Sequence, residues 1–125
     1  MPKIGLSSLK QMLQSNVCEV RFTTRRPWLN GQSVRNMMCT LDYTLLHSVN
    51  GRTTLNFAPP HHAQSYNPES KNLLNVWDII MQDWRMVNMN DCDLINAIPR
   101  DDFWEYFNQN VYPMSIQEKN QYMGR

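Results

Sequence analysis

The chain has 125 residues, enough for one hydrophobic core and too few for several. Its 42% hydrophobic and 18% charged residues describe a folded domain and exclude a disordered or fibrous chain. The net charge of +1 makes no overall case for nucleic acid or membrane surfaces, but the charge is unevenly placed. Residues 1–77 hold eight Lys or Arg against three Asp or Glu, and residues 78–125 hold four against eight. That polarity suits a charge-complementary contact.

Leu6, Leu9, Met12 and Leu13 form a helical stripe, which predicts a short helix over about residues 8–15. Ser7 or Ser8 is placed to cap its start and Asn16 to end it. The segment has no apolar run of the kind a signal peptide carries, and no stretch of the chain approaches the roughly 18 apolar residues of a membrane span. Val17–Thr24 alternates, with Cys18, Val20 and Phe22 on one face and Glu19, Arg21 and Thr23 on the other, as in a half-buried strand. Arg25–Gln32 holds Pro27 and Asn30-Gly31 and predicts a turn, and Val34–Leu41 returns as the second strand. The result is a long hairpin with a basic tip bearing Trp28.

Asp42 is placed to cap a single helical turn in Asp42–His47. Ser48–Lys71 carries Asn50-Gly51, Pro59-Pro60 and Asn67-Pro68, and predicts a long loop with a brief strand near Thr53–Phe57. Leu73–Pro99 then reads as two strands, joined by Met81-Gln82-Asp83, and a third, Leu94–Ile98, stopped by Pro99. Asp101 or Asp102 caps a helix carrying Phe103, Trp104, Tyr106 and Phe107, and Ser115-Ile116-Gln117-Glu118 is a capping box for a last short helix. The expected fold is mainly β with helical additions: a small five-stranded SH3-like or Sm-like barrel with an N-terminal helix and two short C-terminal helices. Residues 1–99 would make the barrel, with the loop 48–71 inside it, and 100–125 a helical extension.

Two segments carry a resemblance. Val76–Ile98, with a hydrophobic-aromatic-Asp strand (Val76-Trp77-Asp78) and a Trp-Arg-x-hydrophobic strand (Trp84-Arg85-Met86-Val87), resembles the second half of a WYL-type Sm-like barrel. Val20–Leu41 resembles its first hairpin, and the combination is similar to small tailed-phage SH3-like β-barrel proteins of unknown function. The chain departs from the pattern in a first turn lengthened by Arg25–Leu29, in Pro59-Pro60-His61-His62, and in a second turn without glycine. The resemblance implies a binding module, and for WYL-type barrels a nucleic-acid or nucleotide ligand. It carries over Asp78, Trp84 and Arg85, and points to a phage accessory protein in host takeover, transcription modulation or virion assembly.

No Gly-x-Ser-x-Gly, phosphate-binding loop or dinucleotide motif is present, so no enzyme and no cofactor is expected. The three cysteines, Cys18, Cys39 and Cys92, have no ligand spacing and suit buried thiols in a reducing cytoplasm, here that of an infected bacterial host cell. His61-His62 reads as a solvated turn, and no metal is expected. For protein binding, Phe103 and Phe107 would face the barrel, leaving Trp104 or Tyr106 at least partly outward, with Tyr122 and Met123 on the last helix. This is the first expectation for a partner, a host or phage protein. The second is nucleic acid, held by Arg21, Arg25, Arg26, Trp28, Arg35 and Arg85, since Val20–Leu41 contains no acidic residue.

Overall fold

Five stretches with strand patterning form a single antiparallel sheet, with helices against it. The computed structural model describes residues 3–24, 34–59 and 67–122. Helix α1 (Leu6–Leu13) buries Leu9 and Leu13 completely. Its start is Gly5, without a side-chain cap, so Ser7 and Ser8 fall inside the helix. At its end the Asn16 side-chain amide donates to the Met12 carbonyl at 3.0 Å, satisfying one of the last free acceptors.

Strand β1 (Asn16–Thr23) pairs with β2 (Val34–Thr40), with Cys18 opposite Cys39 and Phe22 opposite Arg35. After α2 (Tyr43–Leu46), the expected loop contains a small hairpin of β3 (Val49–Asn50) and β4 (Thr53–Thr54). Its turn passes through Gly51 at φ +63°, a left-handed conformation glycine adopts without steric cost. Then come β5 (Leu73–Asp78), β6 (Asp83–Asn88) and β7 (Cys92–Pro99). The glycine-free turn between β5 and β6 puts Gln82 at φ +56°. Asp78 organises the same turn, its Oδ1 accepting the amides of Ile80 and Met81 at 3.0 Å.

The order across the sheet is β6-β5-β2-β1-β7, so the last strand returns to pair with the first. On β7 an extra residue, Ile95, makes a bulge, because Glu19 faces Asn96 while the next residue, Val20, faces Leu94. The expected closure into a barrel is not seen: among the described residues no ladder joins β6 to β7. The start of β7 is instead met by the N-terminal segment, where Lys3 bridges Asp93 and the Ile4 amide donates to the Cys92 carbonyl at 3.1 Å.

Both faces of the sheet are covered. One core takes residues from all five strands together with Leu9 and Leu13: Cys18, Val20, Phe22, Met37, Cys39, Leu74, Val76, Val87 and Cys92 among them. The other gathers Val17, Met38, Leu45, Leu55, Trp77, Ile79 and Ile98 under Phe103, Phe107 and Val111. Those three come from α3 (Arg100–Tyr106) and the π-helical turn Phe107–Val111 that continues it. Spacings of four residues put them on one face of the helix. Arg100–Val111 is thus built into the second core. Asp101 and Asp102 lie in the first turn of α3, favourable to its dipole, while the cap position is Pro99. The last helix, α4 (Ile116–Tyr122), follows the expected capping box: the Glu118 amide donates to Ser115 Oγ at 3.1 Å, and Ser115 Oγ–H donates to Glu118 Oε1.

Candidate binding surfaces

The residues expected to meet a protein partner are mostly turned to internal use. Trp104 is half-buried, packs edge-on against Phe103 and Phe107, and donates its indole N–H to Ser48 Oγ at 2.9 Å. Tyr106 is half-buried against the second core, and burial raises its phenol pKa. The Tyr122 hydroxyl donates to Glu19 Oε2, while the Asn36 amide donates to the Tyr122 carbonyl at 2.8 Å. Burial and the Glu19 carboxylate together push the Tyr122 phenol far above its ordinary range. This pair of bonds ties the end of α4 across the outer face of β1 and β2. Met123 lies outside the described residues.

What the extension does expose is a different set. Tyr112, just past the π turn, is 64% exposed, and Ile116 at the head of α4 is 80% exposed. Val49 on β3 is 63% exposed. It stands between Ser48, bonded to Trp104, and Asn50, whose side-chain oxygen accepts from Asn108 at 3.1 Å. Those two bonds hold the small hairpin against α3 and the π turn. Asp101, Asp102 and Glu105 are exposed on α3. The Tyr112 amide closes the π turn on the Phe107 carbonyl at 2.8 Å, and no residue type signals a π turn in a sequence.

The basic set is largely neutralised where it is described. Arg35 was expected on the phosphate-facing side of the hairpin, yet it is only 6% exposed, with Nη2 on Asp78 Oδ2 at 2.5 Å. The physical reason is Asp78: a fully buried carboxylate needs a cation, and Arg35 supplies it across β2 and β5. Burial is also the largest influence on Asp78 and raises its pKa, against the opposing pull of the two turn amides and Arg35. Arg85 donates to Asp83 Oδ2 at 2.8 Å and to the Trp84 carbonyl at 2.9 Å. Arg21 is exposed, with Nε on Asn36 Oδ1 at 2.8 Å. Arg25, Arg26 and Trp28 at the hairpin tip, and His61-His62 in the loop, lie outside the described residues.

Of the residues carried over by resemblance, Asp78 is thus a buried turn and ion-pair residue. Trp84 closes an aromatic cluster with Trp77 and Phe57, its rings 5.8 and 5.9 Å from theirs, and donates to the Ala58 carbonyl at 2.8 Å. The thiols are free and buried; burial pushes Cys18 up to about 12, Cys92 up to about 11 and Cys39 well above its ordinary value, so none is a nucleophile at neutral pH. Among the described residues no group of His, Cys, Asp and Glu is arranged to hold a metal ion. Nor, among the described residues, is any helix long and apolar enough to cross a membrane. No family model matches the chain, and no curated protein and no solved structure matches it either.

Proposed function

We propose that this chain is a non-enzymatic binding module that docks a protein partner through the exposed Tyr112 and Ile116 that follow α3. The observation that carries this reading is the exposure of Tyr112 and Ile116 on an extension whose Phe103, Trp104, Tyr106 and Phe107 are spent on the core. An exposed tyrosine is a frequent anchor of protein contacts. The exposed carboxylates of Asp101, Asp102 and Glu105 on α3 favour a partner with basic residues and disfavour a phosphate backbone. The neutralisation of Arg35 and Arg85 by Asp78 and Asp83 counts further against nucleic acid as the first partner.

The scaffold would be a small, open SH3-like barrel. Supporting that is the return of β7 to β1 and a core that draws on all five strands. The resemblance to phage proteins suggests an accessory role in an infected bacterial cell. The test is affinity capture from bacterial lysate with and without nuclease, comparing the wild type with a Tyr112→Ser, Ile116→Ser double variant. A protein retained after nuclease by the wild type and lost by the variant is expected. Capture that depends on nucleic acid, or that the variant leaves unchanged, would count against the proposal.

A further inference from the structure

A cleft of about 380 Å³ opens between α1, the junction of β2 with α2, and the start of α3. Lys10, Gln14, Asp42, Tyr43, Thr44 and Arg100 line it. Its floor is a fixed ion pair. Asp42 is 1% exposed, and both of its carboxylate oxygens are spent: Oδ1 accepts the Leu45 amide at 3.1 Å, and Oδ2 accepts Arg100 Nε at 2.6 Å. The Arg100 backbone is pinned as well, its amide donating to the Ser15 carbonyl at 3.2 Å. The Arg100 side chain is nevertheless 42% exposed.

A guanidinium has five N–H donors in a rigid fork, and Asp42 takes the one on Nε. The two terminal NH₂ groups remain for a ligand, on a side chain whose ordering has already been met by the fold. That is the preorganisation that planar recognition of an oxyanion requires. Around it, Tyr43, Thr44 and Gln14 offer neutral hydrogen-bonding groups, and Tyr43 is 52% exposed. Lys10 adds a second cation at the rim, at present shared with both oxygens of Glu69 at 2.9 and 3.0 Å.

We propose that this cleft binds a small oxyanion, the carboxylate or phosphate of a small molecule, through the terminal NH₂ groups of Arg100 with Lys10 assisting. The volume suits a small ligand and not a polymer. The site is separate from the proposed protein-docking surface, so the failure of either reading leaves the other standing. Because Asp42 and Glu69 offset both cations, selectivity comes from the aimed fork more than from net charge.

The test is an amide-detected NMR titration of the full chain with sodium phosphate and, in a second arm, sodium acetate, each against sodium chloride at matched ionic strength. Saturable shifts at Gln14, Tyr43, Thr44 and Arg100 in either arm, absent with chloride, are expected, and the responding arm names the source of the oxyanion. Arg100→Gln should weaken binding about 10-fold or more, the worth of a hydrogen bond to a charged group. Since that variant leaves Asp42 without its cation and can fail to fold, Glu69→Gln provides the opposite sign. It frees Lys10 and should tighten binding up to about 5-fold, the scale of an exposed ion pair, which unfolding cannot mimic. Shifts equal to those with chloride, wild-type affinity in a folded Arg100→Gln, or no tightening in Glu69→Gln would each overturn the proposal.

Discussion

Replacing Arg35 by leucine tests the reading of the β2–β5 junction most sharply. The substitution keeps a large apolar stem in a site that is 94% buried but removes the cation 2.5 Å from Asp78. Asp78 would keep its two turn amides at 3.0 Å, with no exposure to water. Breaking a buried pair from one side costs about 3–5 kcal/mol, and the surviving amides place this case towards the lower end of that range. Burial already raises the Asp78 pKa above its ordinary 3.8, and losing Arg35 removes one of the influences that oppose the rise. In the folded variant Asp78 therefore holds its proton where the unfolded chain has released it. Stability is fully present below the unfolded carboxylate range and falls as pH rises through the folded value, by at most about 1.4 kcal/mol per pH unit. Urea denaturation of wild type, Arg35→Leu, Asp78→Asn and the double variant at several pH values from 4 to 8 reads all of this. The penalty of Arg35→Leu should shrink on acidification, and adding Asp78→Asn should recover a large part of it at neutral pH. A penalty below about 1 kcal/mol, or one that does not change with pH, would refute the buried-charge argument.

Further outcomes follow from the same packing. Phe103→Ala should cost about 3–5 kcal/mol in thermal or urea unfolding, because Phe103 is fully buried against Trp104 and Phe107 with ring separations of 5.2 and 5.5 Å. A loss under about 1 kcal/mol would mean that α3 is an appendage and not part of the core. The thiols predict an alkaline limit. With Cys18 near 12 and Cys92 near 11 against an ordinary 9.0, the folded chain keeps protons the unfolded chain loses, so stability is complete below pH 9 and declines above it. Each thiol contributes up to about 1.4 kcal/mol per pH unit, and urea midpoints at pH 7, 9 and 10.5 would show it. Cys92→Ala should make the decline shallower, and a flat profile would contradict the burial of these groups.

Local pattern was legible in the sequence, and long-range partnership was not. The alternation of Cys18, Val20 and Phe22 correctly marked the face that meets α1, and Leu74 and Val76 share that core while Trp77 and Ile79 share the other. The returning strand was harder to read because Met37, Met38, Cys39 and Thr40 are all buried: a central strand covered on both faces loses its period of two. Barrel closure is a contact between strands at opposite edges of the sheet, decided here by the N-terminal segment meeting β7, and no local signal carries it.

The candidate site shows the same division. Phe103 and Phe107 turned inward as their spacing of four residues requires, whereas the Trp104 bond to Ser48, 56 residues away, has no local trace. Arg35 looked like a phosphate ligand because its own segment holds no acid, while its partner lies 43 residues further on. A signal was present at the other end: Asp78 closes a strand that is apolar but for Asn75, and a carboxylate there calls for a buried cation. Asp42 reads in the sequence only as a helix cap and Arg100, 58 residues away, only as the first residue of the C-terminal extension, and the cleft that they line needed the fold.

The central claim is that Tyr112 and Ile116 are exposed in order to bind protein. The most direct measurement is nuclease-treated affinity capture with the wild-type chain and the Tyr112→Ser, Ile116→Ser double variant, after thermal melting has shown that the two are equally stable. Both side chains are exposed, so their replacement should change stability by no more than about 0.5 kcal/mol each. The account predicts a protein that co-purifies with the wild type and is lost from the variant. Recovery of the same proteins in the same amounts with both chains would contradict it.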